Sequence, residues 1–248
     1  MVLLHGQPGS GADWVGVARL LEPSRTVIVP DRPGYGLTGG RARGFRGNAA
    51  AVCALLDRLG LHDAVIVGHS WSGGVALAMA EDFADRVAGL VLVASVGPGE
   101  ALSPIDRALA VPRIGAAVAA ITFGVAGRAV TRSPIRRLLE RRLHASEDDG
   151  LVAMADAWRS GDVWRSFVIE QQALIEELPT LERGLAGIHV PTRVVVGEAD
   201  HIVPPATGAH LAARIPGATL VSVAGAGHLL PQERPTDIAT AVLDLYRR

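Results

Sequence analysis

The sequence predicts an α/β fold: a doubly wound, mostly parallel sheet of about six strands, interrupted by a helical insertion. Three observations lead there. Short runs at residues 2–4, 27–29, 65–67, 90–93, 194–196 and 220–223 are almost wholly apolar and rich in β-branched residues. Continuous apolar runs of this length mark strands covered on both faces, as in a parallel sheet. Between them lie helical patterns near residues 14–21, 48–59, 72–83, 206–214 and 236–246, and strand alternating with helix is the doubly wound signature. The alternation then fails between residues 98 and 187.

The elements carry their own boundary signals. Asp13 is placed to cap the first helix, Gly60 to end the second in a left-handed turn, and Pro235 to open the last. The stretch 98–187 reads as amphipathic helical pieces broken at Pro104, Pro112, Pro134 and Pro179. Residues 136–143 are typical, with an apolar stripe among arginines that form a solvated face. The expected division is a core made of residues 1–97 and 188–248, with residues 98–187 inserted between two of its strands.

Composition removes several chemistries. With 248 residues the chain can bury one substantial core, and its 49% hydrophobic content is that of a globular domain. A net charge of -1 gives no pull towards nucleic acid or an anionic membrane. All 24 basic residues are arginine, so no Schiff base, Ser-Lys dyad or Gly-Lys phosphate loop is available. Cys53, the single cysteine, lies in an apolar helical run and is expected to be a buried structural thiol rather than a nucleophile. No His/Cys cluster suggests a metal. The apolar stretch 114–125 is too short for a bilayer, which takes roughly 20 residues, and no signal peptide is visible. A cytoplasmic protein is the expectation.

Four loops carry chemistry. In Val65-Ile66-Val67-Gly68-His69-Ser70-Trp71-Ser72-Gly73-Gly74 a buried strand runs into a sharp turn and a small-residue helix. This is the setting of a nucleophile elbow, with Ser70 exposed on the turn and the backbone N–H of Trp71 facing a developing oxyanion. Position 72 is serine where the usual Gly-x-Ser-x-Gly has glycine. Ser72 is therefore a rival nucleophile, and Gly68, two residues ahead of Ser70, favours Ser70.

The second loop is Leu3-Leu4-His5-Gly6-Gln7-Pro8-Gly9-Ser10, and a related turn follows at Asp31-Arg32-Pro33-Gly34-Tyr35-Gly36. Here the chain resembles the α/β-hydrolase family, in the branch with a His-Gly-x-Pro-Gly loop and a serine nucleophile. The resemblance implies that the backbone N–H of Gln7 is the second oxyanion donor, that His5 is structural, and that Asp31 shapes a turn. It further implies that Asp200, in Gly197-Glu198-Ala199-Asp200, is the triad acid. His228, in Gly225-Ala226-Gly227-His228, would be the general base. Ser70, Asp200 and His228 then follow three separate strands in the family's Ser…acid…His order.

The resemblance covers the chain except residues 98–187, which take the family's cap position. Relatives usually have two strands ahead of the oxyanion loop; here Met1 opens directly on it. The run 27–29 would then be an exposed edge. Either the natural start lies upstream, which is the preferred expectation, or a partner subunit covers the edge in a homodimer. No cofactor is implied.

Three functions stay open: acyl-enzyme hydrolysis of an ester, lactone or related acyl substrate; C–C hydrolysis or perhydrolysis by the same triad; or a binding or receptor protein on the same fold. Trp158, Trp164, Phe123 and Phe167 could line an apolar pocket, which points to a small-molecule, apolar acyl substrate. Arg159 or Arg165 could meet an anionic group, although solvation is their expected role.

Overall fold

The computed structural model describes residues 1–97, 104–130 and 163–246. Five strands form one sheet in the order β1 (Val2–Leu4), β2 (Ala64–His69), β3 (Val87–Val93), β4 (Thr192–Gly197) and β5 (Thr219–Val223), and every pairing is parallel. Side chains alternate between faces along each strand. Leu4, Ile66, Leu90, Leu92 and Val194 join one apolar cluster, whereas Leu3, Val65, Val67, Val91, Val93 and Val195 join another.

The first cluster is covered by α2 (Phe45–Arg58), α3 (Ser72–Asp82) and α7 (Pro205–Arg214). The second is covered by α1 (Val15–Leu21), the short α8 (Leu230–Glu233) and α9 (Pro235–Leu243). Burial on both faces is why β1 to β4 read as unbroken apolar runs. β5 is the outer strand, and Leu220 on it is 43% exposed.

The run at residues 27–29 differs from expectation. It lies beside β1 at the other edge, but pairs only through a single Val2–Ile28 bridge, with Leu3 N–H donating to the Ile28 carbonyl and Ile28 N–H to that of Met1. Pro30 follows at once and has no N–H to extend the ladder. Among the described residues the sheet therefore has five strands plus this bridge.

Two of the boundary signals act as expected. Gly60 has a φ of 66°, and the N–H groups of Gly60 and Leu61 close onto the carbonyls of Asp57 and Leu56. Pro235 opens α9. Asp13 takes another place: it sits inside a 3₁₀ turn, Gly11–Trp14, and its carboxylate reaches back to the Ser10 N–H at 3.1 Å.

Between β3 and β4 the described residues are helical: α4 (Pro104–Ala110), α5 (Pro112–Val130) and α6 (Val163–Gly184). Pro104 and Pro112 open their helices, where a missing N–H costs nothing. Pro179 does not end α6, because Leu174, Leu178 and Leu181 around it are buried in the first cluster and hold the helix through the lost hydrogen bond. Pro134, Trp158, Arg159 and the arginine-flanked stripe at 136–143 lie outside the described residues. No helix among the described residues is long and apolar enough to cross a membrane.

Phe45 fixes α2 against the start of α3. Its ring lies 4.4 Å from that of Trp71, and a Cβ on Gly74 would stand 2.5 Å from its edge. Phe45→Ala is expected to lower unfolding free energy by about 3–5 kcal/mol, the usual cost of emptying a buried phenylalanine site. Urea unfolding measures it.

Candidate active site

Because all five strands are parallel, the loops after β1, β2, β3, β4 and β5 emerge at one edge of the sheet. The sharpest turn is the one after β2. Ser70 has a φ of 54°, a left-handed conformation that costs a non-glycine residue about 1–2 kcal/mol. The turn is held by hydrogen bonds: Ser70 N–H donates to the Val93 carbonyl (2.9 Å), and the Ser70 carbonyl accepts from Gly73 (2.9 Å) and Val96 (3.1 Å). Small residues make the approach possible. A Cβ on Gly68 would meet the Ser72 carbonyl, and one on Gly73 would collide with Ser95.

Ser72, the departure from the usual motif, is fully buried as the first residue of α3, and its hydroxyl donates to the His5 carbonyl. Its extra oxygen ties the elbow to the loop after β1. Of the two serines, Ser70 is the one whose Oγ meets an imidazole: His228 Nε2 lies 3.0 Å away.

Asp200 follows β4 and His228 follows β5. The other imidazole nitrogen, Nδ1, is 2.8 Å from Asp200 Oδ2, so Nδ1–H donates to the carboxylate and Nε2 is left to accept from Ser70. Asp200 Oδ1 accepts the N–H groups of Ile202 (2.8 Å) and Val203 (2.9 Å). Burial by itself would raise the Asp200 carboxyl. The hydrogen bond and charge of His228, with those two N–H groups, outweigh it and hold the acid below its ordinary range. Glu198 and His201 are exposed beside it.

The two loops are locked together. A Cβ on Gly197 would collide with the carbonyls of Ala226 and Gly227, Ala199 N–H donates to Ala226 (2.9 Å), and Gly227 N–H donates to Glu233 (2.7 Å).

The loop after β1 lies over the elbow. A Cβ on Gly6 would sit 3.2 Å from that of Ser70. Gln7 is next in the chain; its side-chain amide donates to the Phe167 carbonyl of α6 at 2.9 Å. Trp71, the residue after Ser70, is buried, and its indole N–H donates to the Glu170 carbonyl at 3.1 Å. His5 is a structural residue: its Nε2 accepts the Arg32 backbone N–H (2.9 Å), leaving Nδ1–H to donate to the Gly6 carbonyl (2.9 Å). Asp31 shapes its turn by accepting from the N–H groups of Gly11 (2.7 Å) and Leu37 (2.8 Å).

Sequence reasoning missed four residues of this site. His69 is buried against His228: its Nε2–H donates to the His228 carbonyl at 2.9 Å, and Trp14 packs edge-on to its ring. Arg32, Tyr35 and Glu170 form a buried polar cluster beneath the loop after β1. Arg32 was visible only as part of a turn motif, and Glu170 only as one charge on an amphipathic helix. No local pattern pairs residues 138 positions apart.

Of the proposed pocket aromatics, Trp164 and Phe167 are half-buried on α6, and Arg165 is exposed with its guanidinium 4.8 Å from the Trp164 ring centre. Phe123 is on α5, its side chain outside what is described; Cys53 is buried on α2, and burial raises its thiol.

Two outcomes follow from these contacts. Ser72→Ala removes one buried hydrogen bond worth about 1 kcal/mol, so the melting temperature should fall by about 2–4 °C. Catalysis should survive in it, in contrast to Ser70→Ala; a calorimetric scan and an ester assay check both.

The second concerns acid. Burial, with Arg32 for His5 and with His228 for His69, holds His5 well below the ordinary imidazole range and His69 down at about 3. Between those folded values and the unfolded value near 6.5, only the unfolded chain binds these protons. The stability they contribute at pH 7 is therefore lost as pH falls, by roughly 1.4 kcal/mol per unit and group. Asp13, pushed up to about 6 mainly by burial, and Glu170 and Glu81, also raised by burial, take up protons more readily in the folded chain and offset part of this loss. A net loss between pH 7 and 5 is expected in urea unfolding.

Comparison with known proteins places the chain in a family. The sequence profile of the alpha/beta hydrolase family matches residues 1–241. The chain is 30% identical over 255 residues to the dihydrolipoyllysine-residue acetyltransferase component of the acetoin cleaving system of Pseudomonas putida, and 29% identical to its Cupriavidus necator counterpart. The alignments cover 100% and 96% of this chain, which spans only 63% and 60% of those relatives' lengths. It is 26% identical to a 2-hydroxy-6-oxononadienedioate/2-hydroxy-6-oxononatrienedioate hydrolase of Burkholderia vietnamiensis, covering 100% of this chain and 87% of that one. The solved enol-lactonase of Burkholderia xenovorans LB400 superposes with a TM-score of 0.77 at 23% identity, covering 100% and 91% of the two chains, a likeness of fold. With the profile spanning nearly its whole length, the chain belongs to the alpha/beta hydrolase family.

Proposed function

We propose that the chain is a serine hydrolase working through an acyl-enzyme on an ester, lactone or related acyl substrate. The observation that carries the reading is the unbroken hydrogen-bonded run from Ser70 Oγ through His228 to Asp200. A serine hydroxyl is too weak an acid to attack unaided, and His228 Nε2 is placed to take its proton as Oγ bonds to the acyl carbon. Asp200 fixes the imidazole tautomer and stabilises the imidazolium. The backbone N–H groups of Gln7 and Trp71 are the oxyanion donors in this reading, each worth about 3–4 kcal/mol.

Collapse of the tetrahedral intermediate expels the leaving group, which takes the proton from His228. Water, deprotonated by the same imidazole, then frees the acid and restores Ser70. The steps call on no cofactor. Residues 98–187 would act as the cap, and Trp164 and Phe167 favour a small or medium apolar acyl group.

A second reading, C–C bond hydrolysis by the same triad, is favoured by the relative named as a 2-hydroxy-6-oxononadienedioate hydrolase.

A fluorophosphonate probe should leave one mass adduct on Ser70 and none on Ser70→Ala. A folded, unlabelled wild-type chain would contradict the proposal. Asp200→Asn should lower kcat by about 10⁴-fold through the wrong tautomer. A series of acyl esters of rising chain length separates apolar from charged preference.

A further inference from the structure

Arg32 and Glu170 are 2% and 0% exposed, and an ion pair so deeply buried is a poor source of stability because both charges lose their water. What Arg32 holds explains its place better. Its Nε–H donates to the His5 carbonyl (3.0 Å) and its Nη2–H to the Gly6 carbonyl (2.8 Å). Nη1 and Nη2 both reach the Glu170 carboxylate, Nη2 at 3.3 Å. Glu170 also accepts from the Tyr35 hydroxyl at 2.6 Å, and the guanidinium lies 4.6 Å from the Trp71 ring centre.

The Gly6 carbonyl belongs to the same planar peptide unit as the Gln7 N–H. A rigid peptide held by its oxygen has its N–H aimed at the same time. A cationic donor on that oxygen also polarises the amide and strengthens its N–H as a donor. His5 Nδ1 bonds the same oxygen at 2.9 Å.

We propose that Arg32 is a positioning residue that aims and polarises the Gly6–Gln7 peptide as an oxyanion donor, with Glu170 of α6 holding the guanidinium in place. The inference rests on the reading of Gln7 and Ser70 given above. It makes α6 part of the catalytic geometry, since the same helix takes the Gln7 amide at Phe167 and the Trp71 indole at Glu170.

The test compares an ester with its thionoester, whose sulfur fits an oxyanion hole poorly. Removing one charge alone risks unfolding, so the main variant is the double Arg32→Met/Glu170→Met, which replaces the pair by apolar groups of similar length. Kcat on the ester should fall about 10- to 100-fold, less than outright loss of a donor. KM should stay within about threefold and the ester-to-thionoester ratio should drop about tenfold, on the same differential-stabilisation grounds. A merely structural role would lower both rates together and leave the ratio unchanged, and that result overturns the proposal.

Arg32→Lys, which keeps the charge but loses the fork, should shift the ratio in the same direction and decides the matter if the double variant does not fold. Fluorophosphonate labelling of Ser70 runs alongside. A labelled wild type with an unshifted variant ratio overturns this inference alone; an unlabelled wild type overturns the underlying reading with it.

Discussion

Parallel pairing of all five strands is the constraint on which the site depends. Each strand points its carboxyl end at the same edge, so the turns carrying His5–Gln7, Ser70, Asp200 and His228 are delivered to one place from positions more than 200 residues apart. The apolar cores on both faces keep that edge rigid, with Leu4, Ile66, Leu90 and Val194 on one side and Leu3, Val67, Val91 and Val195 on the other. A hydrogen-bonded triad tolerates little error in separation, and a twice-covered sheet supplies the needed stiffness.

On that frame the turns hold one another rather than standing alone. The strained Ser70 is fixed by the end of β3 and the first turn of α3, and Ser72 ties it to the His5 carbonyl. His69 reaches the His228 carbonyl, while Gly197 lets the acid loop touch the base loop. The result is a ring of contacts in which each turn of the candidate site is braced by the next.

Electrostatics follows from burial. His5 and His69 are kept neutral, so their nitrogens act as fixed donors and acceptors, not as bases. Arg32 is the buried cation, and it is matched by Glu170, by two backbone carbonyls and by two aromatic faces. Desolvation raises Glu170 while Arg32 and the Tyr35 hydroxyl work against that rise. The charge balance of the site thus runs through α6, a helix from the segment between β3 and β4.

Much of this was legible in the residues. Period-two burial on both faces made β1 to β4 continuous apolar runs, and glycines at 68 and 197 stand where backbone meets backbone, those at 6 and 73 where a side chain presses on it. Ser70, Asp200 and His228 each sit just past such a strand, so their order could be read along the chain. Residues 27–29 show the limit: their composition suits a strand, but the next proline and the sheet edge leave one bridge.

The partnership of Arg32 with Glu170, the hydroxyl of Ser72 on the His5 carbonyl and the passage of α6 through Pro179 were not legible. Each depends on which distant surface packs alongside, and local periodicity carries no record of that. The sequence by itself determined the strand-and-turn framework, because that follows from local burial pattern and turn chemistry, and its resemblance to a known family singled out Ser70, Asp200 and His228. Only the tertiary structure decided what holds the loop after β1, because a buried charge takes its meaning from the groups that replace its water.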